Sequence, residues 1–213
     1  MGEMTETSYN PTALKILDTA ARLFMQLGYS AVSINDIVTG AEVTKPTLYY
    51  YFPDKAELFT QMALQQLVKL HHALDAALAR SGDTAARLAA FAGVLLNADD
   101  GDMRMLRHEM AEHLPAEHQA RLGMAFHEHL FMPIHDVMQA GAERGELARH
   151  SAAELTMLFL GLMEAFHGYP AQIDRMRIPP ALGALRPAVF APAALVETFL
   201  HGVAPQAGQG ETQ

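Results

Sequence analysis

Apolar residues recur at helical spacing along most of this chain, and no segment shows the alternation that is typical of a half-buried strand. The first run begins at Pro11, a residue tolerated in the first turn of a helix, and stops at Gly28, a common helix terminator. The pattern therefore predicts an amphipathic first helix, whose apolar side holds Ala13, Ile16, Leu17, Ala20, Phe24 and Leu27.

Two short helices with a tight turn between them are predicted next. Ser33 and Asp36 have the spacing of a capping box, residues 40–43 make the turn, and Thr44 caps the following helix. A compact helix pair whose second member is polar and rich in hydrogen-bond donors is typical of proteins that read the major groove of DNA. The pattern thus predicts a helix-turn-helix over residues 33–52.

The rest of the chain is also predicted to be helical. A long amphipathic helix opens at residues 54–57, a second capping box, and runs to about Arg80. Pro133 falls inside a long helical pattern and should kink it. Further helices are predicted near residues 83–98, 102–113, 116–144, 151–168 and 191–203.

Composition narrows the class of protein. A length of 213 residues suggests one or two domains, and the absence of Cys excludes disulfides, thiolate zinc sites and cysteine nucleophiles. No apolar run approaches the roughly 18 residues of a membrane helix. The first residues have neither the basic flank nor the apolar stretch of a secretory signal, so we expect a soluble, cytoplasmic protein.

The charge of the chain bears on any interaction with DNA. The net charge is −9, and residues 1–55 carry four basic and six acidic residues. Affinity for DNA depends on cations that meet phosphates locally rather than on the total charge. A DNA-binding function therefore requires the few cations to lie on one face, and it predicts weak non-specific binding.

The segment from Ser33 to Leu58, together with Ala20 to Phe24 and Gly28-Tyr29, resembles the N-terminal signature of the TetR family of bacterial repressors. The resemblance covers roughly residues 11–60 and spans three helices in order. The remainder resembles the family only in its length and in being helical throughout. The chain departs from the family at Glu42 and Pro46, where members often have Gly.

The resemblance implies an all-α chain of about nine helices. Residues 1–54 would form the DNA-binding domain, a long helix would lead into a ligand-binding and dimerisation bundle over residues 55–203, and residues 204–213 would be a disordered tail. Such a protein binds a palindromic operator as a homodimer and releases it when a small effector binds, here an apolar or aromatic one. It is not an enzyme, and it needs no cofactor.

Candidate DNA contacts concentrate in the predicted second helix of the motif. Side chains of its first turn could donate hydrogen bonds to guanine and contact thymine methyl groups. One tyrosine would face the groove, and another would donate its hydroxyl to a phosphate. The other interpretations are a solvated helix start, half-buried packing for Tyr51 and simple capping by Ser33. The candidate residues are Ser33, Thr44, Lys45, Pro46, Thr47, Tyr49, Tyr50 and Lys55.

The C-terminal half is rich in Met and Phe, which suits a tolerant binding surface as well as an ordinary core. The candidate pocket residues are Phe91, Met103, Met110, Phe126, His127, Met163, Phe166 and His167. Two further apolar helices could be core or could form a four-helix dimer contact, which a two-fold operator reader needs. The candidate dimer residues are Leu155, Phe159, Leu162, Leu195 and Phe199.

Eleven histidines also suggest an alternative class, a helical-bundle metal-binding protein or enzyme that uses His and Glu. His108, Glu109, Glu112 and His113 offer two pairs at i, i+4 spacing. His127 and His129, however, are about 200° apart on a helix and do not converge. The chain lacks a nucleophile elbow, a phosphate loop and a His-Glu-x-x-His motif, so we predict no metal site and no catalytic residue.

Overall fold

The computed structural model describes residues 10–79, 82–97, 103–147, 150–166 and 191–201, with the backbone alone for residues 97 and 103–107. All regular structure in these ranges is helical, which confirms the all-α prediction. The predictions for residues 1–9, for the tail at 204–213 and for His167 fall outside the described residues, as does the side chain of Met103.

The helices follow the predicted order, with ends within a few residues of those expected. They are α1 (Pro11–Leu27), α2 (Ile34–Gly40), α3 (Lys45–Tyr51), α4 (Lys55–Leu78), α5 (Thr84–Asn97), α6 (Met103–His113), α7 (Ala116–Phe126), α8 (Met132–Glu143), α9 (Ala152–Phe166) and α10 (Pro192–His201). A π-helical turn, His127–Phe131, connects α7 to α8. When the run from α7 to α8 is taken as one helix, the described residues hold nine.

Local capping explains where the helices of the N-terminal part begin. The Asn10 side chain accepts from the amide of Thr12 at the start of α1, and the predicted capping box of Ser33 with Asp36 is present at the start of α2. Thr44 caps α3 by accepting from the amide of Thr47. These side chains satisfy amides that have no partner within the helix, so each helix start is determined by its own sequence.

The chain folds as two compact units. Unit 1 comprises Met1–Lys69 and Asp100–Phe126, and unit 2 comprises Leu70–Asp99 and His127–Gln213. By packing, α6 and α7 therefore group with α1, α2 and α3 in unit 1. The functional division at residue 54 stays a prediction.

The core of unit 1 gathers the inner faces of α1, α2 and α3 around the first turns of α4. Phe24 meets Phe59 edge to face with 5.1 Å between the ring centroids, and both rings are almost completely buried. Leu114 and Leu122 join this core from the α6–α7 region. Burial of these side chains removes apolar surface from water, so it holds the helix-turn-helix on a rigid base.

The core of unit 2 contains the residues that the sequence assigned to a dimer contact. Leu155, Phe159 and Leu195 are buried within the single chain, and Phe159 packs edge to face on Phe199 at 5.4 Å. Leu162 is half-buried. Burial within one copy favours a core role for these three side chains, whereas Phe199, like Leu162, is only half-buried. The dimer assignment stays a prediction.

The predicted break at Pro133 takes the form of the π-helical turn His127–Phe131. Helix α8 begins directly after it, at Met132, with Pro133 in its first turn. Proline is tolerated there, and a π-helical turn is one of the recognised ways in which a long helix absorbs a local disruption. The sequence indicated the position of the irregularity but not its kind.

Candidate nucleic-acid interface

Helix α3 is anchored on one side and open on the other. Leu48 and Phe52 are 0% and 1% exposed, whereas Tyr50 is 82% and Tyr49 46% exposed. Because successive residues turn by about 100°, the two buried anchors at i and i+4 direct the residues between them outward. The tyrosine rings are therefore presented on a helix that cannot roll without exposing its anchors.

The first turn of α3 presents a small hydroxyl cluster beside a cation. The hydroxyls of Thr44 and Thr47 are 2.8 Å apart. Lys45 and Pro46 are exposed, and Lys45 has no ion pair among the described residues. Pro46 occupies a first-turn position, where its missing amide costs no helical hydrogen bond. This end of α3 thus offers hydroxyls and one ammonium group to a partner.

The turn between α2 and α3 holds Glu42 in an unusual conformation. Its φ is +51°, in the left-handed region that favours glycine. The Glu42 carboxylate accepts a hydrogen bond from the Lys15 ammonium at 2.6 Å, and this bond and the adjacent charge lower the pKa of Glu42. Lys15 therefore neutralises an acidic group close to α3.

Ser33 is engaged in its own helix cap. Its amide donates to Asp36 Oδ2 at 2.8 Å, its hydroxyl donates to the same atom at 2.6 Å, and its Oγ accepts from the Asp36 amide at 3.2 Å. Hydrogen bonds from Ser33 lower the pKa of Asp36. A phosphate contact at Ser33 would have to share these groups with a carboxylate.

Lys55 lies over an aromatic ring rather than free in solvent. Its Nζ is 4.1 Å from the centroid of the Tyr29 ring, an arrangement in which the ring face attracts the cation. Burial lowers the pKa of Lys55, against the opposing charge of Glu109. This contact gives Lys55 a partner within the fold, and its contact with DNA stays a prediction.

The base of the helix-turn-helix is held by α6. Glu109 Oε2 accepts from the Ser30 amide at 3.3 Å, and His113 Nε2 lies 2.7 Å from the Ser30 hydroxyl. The His113 ring also stacks on Tyr29 at 5.7 Å. At Gly28 φ is +82°, and a Cβ there would lie 3.2 Å from Glu109. A side chain at Gly28 would thus be strained and would crowd this contact.

A second set of contacts joins α7 to the start of α4. Arg121 donates to both carboxylate oxygens of Glu57 at 2.6 and 3.1 Å. Burial alone would raise the pKa of Glu57, but hydrogen bonds from Arg121 and Gln61 hold it below its usual value. The buried His118 ring lies 3.0 Å from the Thr60 hydroxyl.

Sequence reasoning missed the α6 and α7 contacts. The pairs are 58 to 83 positions apart in the chain, so no local spacing signals them. Glu109 and His113 form one of the two pairs at i, i+4 spacing that suggested a metal site. In the structure both side chains contact Ser30. Among the described residues, no group of three or more His, Asp or Glu side chains is arranged to hold a metal ion.

The candidate pocket residues fall in both units. Met110 and Phe126 belong to unit 1, where Met110 packs against the core. Phe91 and Met163 are buried in unit 2, Phe166 is half-buried and His127 is exposed. Burial of Phe91 and Met163 fits a core role as well as a pocket lining, so the pocket stays a prediction.

None of the helices in the described part of the chain combines the length and the apolar character that crossing a membrane requires.

Comparison with known proteins begins with the segment that includes α2 and α3. Residues 16–62 match the family described as "Bacterial regulatory proteins, tetR family". The chain is 27% identical over 198 residues to the "Probable acrEF/envCD operon repressor" of Escherichia coli K12, covering 85% of this chain and 88% of that protein. It is 39% identical over 62 residues to the "HTH-type transcriptional regulator AcrR" of Shigella flexneri, 29% of each chain.

Solved structures resemble the fold over nearly the full length. The reduced form of NemR from E. coli has a TM-score of 0.70 at 18% identity, covering 89% of this chain and 95% of that one. FadR from Bacillus subtilis in complex with stearoyl-CoA has a TM-score of 0.70 at 13% identity, covering 90% of this chain and 99% of that one. At these identities the likeness establishes the fold.

Proposed function

We propose that this chain, a transcriptional regulator of the TetR family, is a ligand-responsive repressor that binds a palindromic operator as a homodimer through α3. The observation that carries the proposal is the exposure of Tyr50 and Lys45 on a helix anchored by Leu48 and Phe52. A rigid, donor-rich helix of this kind suits the major groove. Repression rather than activation of transcription is supported by the name of the E. coli relative, an operon repressor.

Each exposed residue of α3 has a role in this proposal. Lys45 donates to guanine O6 or N7, and Thr47 contacts a base edge or a thymine methyl. Tyr50 faces the groove and Tyr49 donates its hydroxyl to phosphate. Thr44, Pro46 and Ser33 border the same surface, where amides and hydroxyls bind backbone phosphates and fix the register of the protein on the duplex.

Few cations take part in this contact. Of the five cations in α1, α3 and α4, Lys15 is paired with Glu42, Lys55 lies over Tyr29, and Lys69 is 3.6 Å from Asp18. The other two, Lys45 and Arg22, are exposed. We therefore expect operator binding to depend less on salt than is usual, because fewer phosphates are neutralised by lysine or arginine.

The homodimer would use the exposed face of α9 rather than its buried face. Met157 and Leu158 are 62% and 56% exposed, and Gly161 and Ala165 are exposed beside them. Large exposed apolar side chains bordered by small residues allow close approach of a second helix. Two copies related by a two-fold axis would then present two α3 helices to successive major grooves, about 34–36 Å apart.

Regulation would proceed by a population shift. DNA favours one spacing of the two α3 helices, and a small apolar or aromatic effector bound by the C-terminal helices favours another. Helix α4 contributes residues to both units and would carry the coupling. The effector must bind the two states with different affinity for any release to occur. We expect the protein to act in the cytoplasm.

Selection from a pool of random duplexes tests the proposal. Full-length protein should enrich an inverted repeat with half-site centres one helical turn apart. A Lys45→Ala, Tyr50→Ala double variant is the control, because both side chains are exposed and their removal should leave the fold intact. No enrichment by the wild-type protein, or equal enrichment by the variant, contradicts the proposal.

A further inference from the structure

One face of α1 lies along the end of α2 and the turn that leads to α3. A Cβ at Gly40 would lie 2.9 Å from Thr19 Cγ2 and 3.6 Å from Arg22 Nη2, so α1 packs closely on the last turn of α2. Lys15 precedes Arg22 by about two helical turns and therefore projects from the same face. Its Nζ reaches Glu42 Oε2 at 2.6 Å. The basic residues of this face thus lie beside the turn.

Backbone hydrogen bonds close the turn independently of this ion pair. The Glu42 amide donates to the Thr39 carbonyl at 3.2 Å. The Val43 amide donates to the Val38 carbonyl at 3.0 Å. The side chains of Lys15 and Glu42 are 49% and 79% exposed, and exposed ion pairs contribute little to stability. Folding of the turn therefore does not explain the pair.

Glu42 lies close to the surface that the proposed function assigns to DNA. It precedes Thr44, the N-cap of α3, by two residues, so their Cα atoms are at most about 7.6 Å apart. Charges at the surface interact over about 10 Å at 0.1 M salt. A DNA backbone bound beside the first turn of α3 would therefore interact with both charges of the pair.

The pair presents no net charge to such a backbone. A free Lys15 would bind a phosphate and release a counterion, which is the source of sequence-independent affinity. If Lys15 left Glu42 for a phosphate, the carboxylate would remain unpaired beside the negative backbone and would be repelled. The new contact is then offset by the lost one and by this repulsion. An ion pair that contributes little to stability can thus have a larger effect on DNA binding.

We propose that Glu42 limits the affinity of the protein for DNA of any sequence by holding Lys15 away from the phosphates. The inference rests on the proposed function and adds to it a residue that weakens the electrostatic part of binding. Base contacts then supply a larger share of the affinity, and they are the part that depends on sequence.

The salt dependence of binding to a labelled duplex of mixed sequence without an inverted repeat tests the proposal. Glu42→Gln removes the charge and keeps the size of the side chain. It should steepen the slope of log K against log salt by about 0.9 for each bound copy, because the released Lys15 meets one more phosphate. From about 200 to about 50 mM salt, its affinity should rise about 3.5-fold more per copy than that of the wild type. Fluorescence anisotropy measures both quantities.

Two further variants identify the cation responsible. Lys15→Ala in the Glu42→Gln background should return the slope to the wild-type value, and alone it should leave the slope unchanged. Asp18→Asn is the matched control, because it also removes one negative charge and releases an exposed lysine, Lys69. That lysine lies about 21 Å along α4 from Lys55, the first residue of the helix. The slope of Asp18→Asn should equal that of the wild type.

Several outcomes would overturn the proposal. One is an unchanged slope in Glu42→Gln, and another is no binding by this variant at the lowest salt. A steeper slope that survives in the Lys15→Ala background, or that Asp18→Asn reproduces, would show that net charge and not the release of Lys15 changes the affinity.

The outcome is separable from that of the proposed function. Duplex selection by the wild-type protein tests whether α3 reads an operator, whereas the salt titration compares variants on DNA that contains none. A protein that enriches an inverted repeat, but whose Glu42→Gln variant keeps the wild-type slope, retains the proposed function and loses this inference.

Discussion

The Nδ1–H of His71 donates a hydrogen bond to the backbone carbonyl of His129, 3.2 Å away. In an α-helix that carbonyl would accept from the amide of residue 133, but proline has no amide hydrogen. His71, on α4, thus supplies the donor that Pro133 lacks. The carbonyl can only accept, so Nδ1 of His71 carries a proton in this contact.

This relationship predicts a coupling between two residues through a shared carbonyl. His71→Leu should lower the free energy of unfolding by about 0.5–1.5 kcal/mol, the usual net value of one hydrogen bond. In a Pro133→Ala background the loss should be much smaller, because the restored amide satisfies the carbonyl. Urea unfolding of the four variants gives the interaction energy.

His72→Leu is the control for this cycle, since His72 is exposed and adjacent in sequence. Its effect should be small in both backgrounds. Equal losses for His71→Leu with and without Pro133 would show that the carbonyl is not the shared element.

The second prediction distinguishes the roles of three lysines of unit 1 in DNA binding and in stability. Lys45→Ala should reduce the slope of log K against log salt by about 1 for each bound copy, because Lys45 is exposed and has no ion pair among the described residues. Lys55→Ala should mainly lower the melting temperature, because its ammonium lies over Tyr29. Fluorescence anisotropy with the selected operator at several salt concentrations measures the slopes.

Lys69→Ala is the matched control, a lysine on α4 that faces Asp18. Its slope should equal that of the wild type. A large change of slope in Lys55→Ala together with none in Lys45→Ala would reverse the assignment of the two residues.

The third prediction concerns the left-handed Glu42. Glu42→Gly should be at least as stable as the wild type, since glycine adopts a φ of +51° without strain. Glu42→Ala should melt at most about 2–4 °C lower, because it has the same strain as the wild type and loses only the exposed contact with Lys15. Calorimetric melting temperatures compare the two variants.

Lys15→Ala removes the same ion pair without changing residue 42. It should cost about as much as Glu42→Ala, because each variant loses only this exposed ion pair. If Glu42→Gly melts below Glu42→Ala, the left-handed backbone conformation does not limit stability at this turn.

The fourth prediction is a pH dependence at the end of α8. Hydrogen bonds from Arg144, and then from Thr84, lower the pKa of Glu146 to about 2. The folded-state pKa lies below the ordinary value of 4.5, so the stabilising effect is complete above that value and declines as the pH falls toward 2. Glu146→Gln should therefore melt below the wild type at neutral pH, with a difference that shrinks in acid.

Melting temperatures of both proteins from about pH 6 to about pH 3 measure this trend. Glu143→Gln removes a carboxylate from the end of the same helix and leaves the Arg144–Glu146 pair, 2.6 Å apart, in place. A constant gap between Glu146→Gln and the wild type across this range would contradict the prediction.

The fifth prediction tests the exposed face of α9. A Met157→Glu, Leu158→Glu double variant should sediment as a monomer where the wild type sediments as a dimer, because charges would replace the apolar contact. Met124→Glu is the control, a substitution at a methionine that is 65% exposed on α7. A monomeric wild type, or a dimer that survives the double substitution, would exclude this face.

Local sequence signals predicted the helix starts well. The capping side chains of Ser33 and Thr44 accept from amides three residues away, so a short stretch of sequence is enough to predict them. The exposed tyrosines of α3 followed from the same reasoning, since Leu48 and Phe52 determine which side of a short helix faces inward. Apolar periodicity identified the buried face of α9 but could not say whether a helix of the same chain or of a second copy covers it.

The sequence by itself determined the helical class and the order of the helices, because periodicity and capping operate within a few residues. It also carried the resemblance over roughly residues 11–60, and the family match covers residues 16–62. Only the tertiary structure decided what distant residues do. In the folded chain Lys55 lies over Tyr29, and Ser30 contacts Glu109 and His113. The His129 carbonyl contacts the ring of His71. These contacts join positions far apart in the chain, and their partners are selected by packing, on which local spacing carries no information.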